Sequence, residues 1–222
     1  MLDAEKLNKA TQYFKDIYDR KNNLVTRLLD FSDDPLDSMV DANQDKLLAF
    51  KLLMHAEMEY YLESVTREVI ERCKTEWTAN SHLNPIILRL LAYNKTEYAG
   101  NARDNDPRVR ITNVINGALT QIGQNHGIKE KNQLKLMQQI GVNVLGDHNT
   151  LSSDLESYGA HRGVIAHSGI SHIASISNPL MKRSETTKID QIMDLLYDLD
   201  IDIQRLYGLV IFPVSFSDKV GI

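Results

Sequence analysis

Cysteine is almost absent from this 222-residue chain, which holds a single Cys73, and proline and glycine are scarce at five and eleven residues. One cysteine excludes an internal disulfide and a zinc site built from cysteines. Cys73 lies in a helical pattern, and we expect it to be a small buried hydrophobic residue. The few prolines and glycines leave several long uninterrupted stretches, which favours helices.

The chain also lacks an excess of positive charge and any long apolar run. Its net charge of −5 excludes a protein that coats nucleic acid by electrostatics, although a few well-placed cations still suffice for a local phosphate-binding cleft. Residues 1–6 have no apolar core of the signal-peptide type, and no run approaches the length of a membrane span. We therefore expect a cytoplasmic protein that does not enter a membrane.

Apolar residues recur at three-to-four spacing along most of the chain, which is typical of amphipathic helices. This spacing predicts long helices over residues 4–30, 37–78, 151–168 and 186–210, and shorter ones from Pro85, over 109–123 and over 129–141. There is no internal repeat and no convincing strand pattern. The sequence therefore predicts an all-α bundle of four main long helices plus shorter ones. We expect a single domain over 1–222, with the N-terminal helix 4–30 and a C-terminal strap 211–222 as extensions.

Polar residues interrupt two of these helical patterns. His55 and Glu59 stand four residues apart on the apolar stripe of the second long helix. Either they lie at its edge and hydrogen-bond each other in solvent, or they line a polar pocket within the bundle. Asp190, Asp194 and Asp198 form an acidic stripe on the last helix. Carboxylates alone are a weak signal for a divalent metal, so we interpret this stripe as a solvent-facing surface and predict no metal site.

Arg162 and His167 are the residues with the clearest chemical meaning, and four mostly apolar residues separate them. Arginine supplies a permanent forked cation that suits a phosphate, and histidine donates or accepts a proton near neutral pH. Together they are a minimum set for cleaving a phosphodiester without metal. Positions five apart are about 140° apart around a helix, so the two side chains diverge. They converge only through the length of the arginine, an end of the helix at His167, or a second copy of the chain.

Small residues form a stripe through the same segment, at Gly159, Gly163 and Ala166. Glycine inside a helix costs about 1 kcal/mol relative to alanine, so two of them need a reason. Close approach of a second backbone is that reason, and the partner is either another helix of this chain or the same helix of a second subunit. A two-fold dimer would place two arginine–histidine pairs around one cleft.

The chemistry expected of this pair requires RNA. His167 removes the proton of a ribose 2′-hydroxyl or protonates the departing 5′-oxygen, while Arg162 stabilises the charge that develops on the phosphate. In-line attack by the 2′-oxygen then leaves a cyclic phosphate, with no metal or other cofactor. His161, Tyr158 and Ser168 are candidates for contacts with the substrate. The alternative for His161 and Tyr158 is that they are ordinary residues of the helix surface.

The segment from Tyr158 to Gly169, with its R-x4-H arrangement near the end of a late helix, resembles the HEPN superfamily. The helix from His55 to Glu63 looks like the second-helix pattern of stand-alone bacterial or nuclease-fused HEPN branches. The resemblance implies a helical bundle that forms a homodimer through its motif helices. Many members are metal-independent endoribonucleases of toxin–antitoxin, abortive-infection or other antiphage systems.

By the family pattern, Arg162 and His167 become the catalytic pair, and Glu59 corresponds to a polar helix residue near the site. RNA becomes the substrate, with an antitoxin or another defence protein as a possible partner. Active members often carry a polar residue directly after the arginine, where this chain has Gly163. Some HEPN domains are inactive modules for dimerisation, partner-protein binding or nucleotide binding. The sequence thus leaves three alternatives, namely an endoribonuclease, a catalytically inactive HEPN module, and a generic four-helix protein in which the R-x4-H motif is accidental.

Overall fold

The computed structural model describes residues 2–93, 106–167 and 179–206, without the side chains of 161–167 and 206. All regular structure in these ranges is helical, which confirms the predicted all-α fold. The helices are α1 Ala4–Lys9, α2 Gln12–Leu28, α3 Pro35–Ser38, α4 Asp41–Asn80, α5 Pro85–Tyr93, α6 Pro107–Gly123, α7 Glu130–Ile140, α8 Asn149–His167 and α9 Lys182–Leu206. The predicted strap 211–222 and Gly169 lie outside the described residues.

Helix α4 is the centre of the fold. Its 40 residues extend about 60 Å at 1.5 Å per residue, and it contacts α2, α3 and each of α5 to α9. The contacts surround it, so buried side chains occur on most of its circumference instead of along one stripe. They include Phe50, Met54, Met58, Val65, Val69 and Cys73, all at most 1% exposed. The burial predicted for Cys73 is thereby confirmed.

The predicted helix 4–30 is two helices, which corrects one element of the prediction. Thr11 has an extended backbone with ψ of 162°, and its hydroxyl caps α2 by accepting from the backbone N–H of Phe14. The Thr11 backbone N–H and hydroxyl donate to the buried carboxylate of Asp200 in α9, at 2.8 and 2.6 Å. This tertiary contact holds the break between α1 and α2. Helix α2 packs against α4 with Phe14 fully buried.

The other helices agree with the predicted ones to within a few residues, and local signals set their ends. The side chain of Asn84 accepts from the backbone N–H groups of Ile86 and Ile87 and so caps α5. Helix α7 ends at Gly141, which has a φ of +83°. This left-handed backbone favours glycine, and a Cβ atom there would displace the end of the Arg89 side chain, whose Nε would stand 2.5 Å away.

Two side-chain contacts with α9 show the direction of α8. Lys188 of α9 binds Asp154 at 2.5 Å, and Asp202, farther along α9, lies 3.4 Å from His148 just before α8. Helices α8 and α9 are therefore antiparallel, and the end of α8 lies toward the beginning of α9. No helix in the described parts of the chain has the length and apolar character needed to cross a membrane.

Candidate functional site

The R-x4-H segment forms the last part of α8, the 19-residue helix that ends at His167. Arg162 and His167 are both helical, as is His161, while Ser168 lies outside the described residues. Because the helix is continuous from one to the other, their Cα atoms are about 140° apart around its axis. We call residues 158–167 the motif segment.

At Gly159 the motif segment lies in close contact with the rest of the chain. A Cβ atom there would stand 3.2 Å from Cγ of Lys129, 3.3 Å from Cγ1 of Ile128 and 3.7 Å from Nε2 of His55. These three residues belong to the same chain. The sequence allowed either this chain or a second subunit to pack against the small-residue stripe. At Gly159 the packing residues come from this chain.

His55 and Glu59 lie within the bundle, so the interpretation of a solvent-exposed pair is wrong. The His55 side chain is 3% exposed and that of Glu59 is 21% exposed. Their Nδ1 and Oε2 atoms are 3.8 Å apart, which is an ion-pair distance when the imidazole is protonated. The other edge of the imidazole faces two glycines, because Nε2 lies 3.9 Å from a Cβ atom placed on Gly127 and 3.7 Å from one placed on Gly159. The pair thus lines the contact between α4 and the motif segment.

Glu59 also holds the loop between α6 and α7. Its Oε1 atom accepts a hydrogen bond from the backbone N–H of Gly127, whose φ of +116° favours glycine. One turn along α4, Oε1 of Glu63 accepts from the side-chain amide of Asn125 at 2.9 Å, and the same amide donates to the carbonyl of Gly127 at 3.1 Å. Two carboxylates of α4 therefore fix the loop that carries Ile128 onto the motif segment.

Tyr158 is buried, with 1% exposure, which differs from the accessible position that a contact with substrate requires. Its hydroxyl donates to the carbonyl of Lys51 at 3.3 Å, and Nζ of Lys51 lies 5.1 Å from the centre of its ring. Burial, together with the negative charge of Glu185, raises the pKa of Tyr158 well above its usual value. Tyr158 therefore acts as an anchor of α8 in the core.

Lys51 and Glu185 form a buried ion pair beside that anchor. The ammonium lies 3.0 Å from both carboxylate oxygens, and the two side chains are 5% and 11% exposed. The pair joins α4 to α9, and Lys51 joins both to Tyr158 of α8. Three helices are thereby fixed at the level where the motif segment begins.

The acidic stripe of α9 is partly neutralised. Asp190 binds Nζ of Lys21 at 2.7 Å, and the Lys21 side chain is only 7% exposed. In the described ranges no three histidine, cysteine, aspartate or glutamate side chains come together as a set of metal ligands.

Sequence reasoning missed the residues that hold the motif segment from outside its own helix, namely Lys51, Asn125, Gly127, Ile128 and Lys129. The two glycines and the asparagine of the 123–127 joint were visible as a turn signal. Nothing in the local pattern indicated that this turn packs on Gly159, which is 32 residues beyond Gly127.

We compared the chain with protein-family models, with curated proteins and with solved structures. None of the three comparisons found a match.

Proposed function

We propose that this protein is a metal-independent endoribonuclease of the HEPN type that acts as a homodimer in a bacterial toxin–antitoxin or antiphage system. Arg162 and His167 are its catalytic pair. The observation that carries the proposal is the placement of the R-x4-H segment at the end of a long helix that is anchored on the core just before it, at Tyr158 and Gly159. An anchored helix holds its functional groups with little conformational freedom, which catalysis requires.

The proposed reaction is an internal transesterification. The ribose 2′-oxygen forms a bond with the phosphorus, and the bond from phosphorus to the 5′-oxygen of the next nucleotide breaks. His167 takes the 2′-hydroxyl proton or gives a proton to the leaving 5′-oxygen, and Arg162 binds the phosphate oxygens as negative charge develops on them. The products are a 2′,3′-cyclic phosphate and a free 5′-hydroxyl.

The angle between the two catalytic positions supports the homodimer. In a continuous helix, Arg162 and His167 of one chain face directions about 140° apart. In the proposed dimer, the two-fold axis brings the arginine of one chain toward the histidine of the other, so that one cleft contains two such pairs. The partner protein expected of such a system, an antitoxin or another defence protein, is part of this proposal.

The test is cleavage of RNA by the purified protein in EDTA, with analysis of the product ends. We expect the parent protein to cleave and to leave 2′,3′-cyclic phosphates. Arg162→Ala and His167→Ala should each abolish cleavage while keeping the helical circular dichroism and the dimer. Arg27→Ala and His82→Ala are matched controls, because both side chains are exposed on other elements, and they should cleave like the parent.

Two outcomes would overturn the proposal. If both motif variants cleave like the parent, the activity lies elsewhere or belongs to a contaminant. If the parent, as a verified dimer, cleaves no RNA, the alternative of a catalytically inactive HEPN module takes its place.

A further inference from the structure

Lys129 packs against the motif segment at Gly159. It precedes the first residue of α7, and its Cγ atom lies 3.2 Å from the position of a Cβ atom on Gly159. The lysine itself is exposed. Its aliphatic stem therefore packs on the backbone of α8 at Gly159, while the residue as a whole stays exposed. Arg162 follows Gly159 by one turn, about 4.5 Å along the helix axis.

Within the described part of the chain Lys129 forms no ion pair. Two carboxylates at this loop accept main-chain hydrogen bonds. Glu59 accepts from the N–H of Gly127, and Glu156 of α8 accepts from the N–H of Glu130 at 2.7 Å. An exposed ammonium can bind an anion, and the stem of Lys129 packs on α8 three residues before Arg162, the proposed phosphate-binding residue.

We propose that Lys129 is an RNA-binding residue of this site and contacts a backbone phosphate adjacent to the one that is cleaved. This inference rests on the proposed function and adds to it a residue on a different element. Lys129 positions the substrate and takes no part in bond making or breaking. A lysine suits this role because its ammonium binds a phosphate as a point charge without selecting a base.

The contact explains why Gly159 is a glycine within a helix. Any larger residue there would displace the stem of Lys129 and the side chain of Ile128, since a Cβ atom would already stand 3.2 and 3.3 Å from them. The cost of the glycine in helix propensity, about 1 kcal/mol, is then balanced by the packing of the loop on α8.

The test measures how binding depends on salt. The probe is a fluorescent single-stranded RNA with 2′-O-methyl groups, which lacks the nucleophilic hydroxyl and is not cleaved. Each phosphate contact on a single strand contributes about 0.7 to the slope of log affinity against log salt. Lys129→Ala should therefore reduce the slope by about 0.7 and weaken binding about fivefold at 0.1 M salt. Lys129→Arg keeps the positive charge, so its salt slope and its affinity should both stay close to those of the parent. In cleavage assays Lys129→Ala should raise KM with little change in kcat.

Lys131→Ala is the matched control, because it removes the same charge from an exposed position two residues away. The inference is overturned if Lys129→Ala and Lys131→Ala give the same slope and the same affinity, even when the parent cleaves RNA through Arg162 and His167. If Lys129→Ala alone weakens binding while the Arg162 and His167 variants cleave like the parent, the catalytic proposal fails and the RNA contact stands. If the parent binds no RNA, both fail.

Discussion

Nε2 of the buried His55 lies 3.7 Å from the position that a Cβ atom on Gly159 would occupy. The imidazole and the motif helix therefore meet across bare backbone, with no side chain of α8 between them. A side chain at residue 159 would enter this contact. Substitution of that residue moves the motif segment relative to α4.

Gly159→Leu should destabilise the protein by about 2 kcal/mol or more and abolish RNA cleavage, because the side chain has no room between α8 and the 127–129 loop. Gly159→Ala should change the free energy of unfolding by less than about 1 kcal/mol, since the gain in helix propensity offsets the tight contact. Urea denaturation and the EDTA cleavage assay measure the two effects. Ala160→Leu is the control, because Ala160 is exposed on the same turn. Equal stability of the two leucine variants would contradict the packing described for Gly159.

Lys51→Met should destabilise the protein by about 3–5 kcal/mol, because it leaves the carboxylate of Glu185 buried without its cation. Adding Glu185→Gln should recover much of the loss, since the second substitution removes the uncompensated charge. Lys46→Met is the matched control. Its ion pair with Asp30 is exposed, so we expect a change below about 1 kcal/mol. The measurement is urea denaturation of the four proteins, and equal losses for Lys51→Met and Lys46→Met would refute the prediction.

Asp200→Asn should alter how stability depends on pH. Burial raises the pKa of Asp200 above its usual 3.8, although hydrogen bonds from Thr11, Tyr61 and Gln204 act in the opposite direction. The folded state then keeps the proton to a higher pH than the unfolded state does. The stability that Asp200 contributes is full below pH 3.8 and decreases as the pH rises through the pKa of the folded state.

The amide that replaces the Asp200 carboxyl cannot accept from all of these donors, so we expect the variant to lose about 1–3 kcal/mol at acidic pH. The difference from the parent should shrink as the pH rises toward neutrality. Urea denaturation of parent and variant across that range measures the difference, in which the other titrating groups cancel. A difference that grows with pH would show that the pKa of Asp200 is lowered.

Cys73 should resist thiol reagents while the protein is folded. Burial raises the pKa of its thiol to about 11, which leaves about one thiol in a thousand ionised at pH 8. We expect an aromatic disulfide reagent to react with Cys73 only after unfolding in urea, at a rate typical of a free cysteine. The chain has no second cysteine, so the released chromophore reports this position alone. Rapid reaction of the folded protein would contradict the burial of Cys73.

The helices were predictable because apolar residues recur with the helical period, and this spacing can be recognised within each segment of the sequence. The break between α1 and α2 at Thr11 was not predictable, because the carboxylate that holds it belongs to Asp200, 189 residues away. The acidic stripe shows the same limit of local patterns. Spacing drew attention to Asp190, Asp194 and Asp198, yet the buried aspartate of α9 is Asp200, on the side that faces Thr11 and Tyr61.

Much of the candidate site also depends on long-range contacts. The R-x4-H segment was visible because its residue types carry chemistry whatever their surroundings. Lys129 has no such signature, and its importance arises only because a loop places it against Gly159. Similarly, a solvent-facing position was the simpler interpretation of His55 and Glu59, because charged residues are seldom buried. Their burial is compensated by backbone of the 125–129 loop, which the local pattern does not reveal.

Helix α4 packs against α2, α3 and each of α5 to α9 in the described part of the chain. Because so many helices share this central partner, few of them can unfold independently of the rest. The amide hydrogens at its centre, near Met58 and Leu62, should exchange with solvent only when the whole molecule opens. Helix α4 thus couples the N-terminal helices to the motif segment as one cooperative unit, so a ligand that binds at one end should slow exchange at the other.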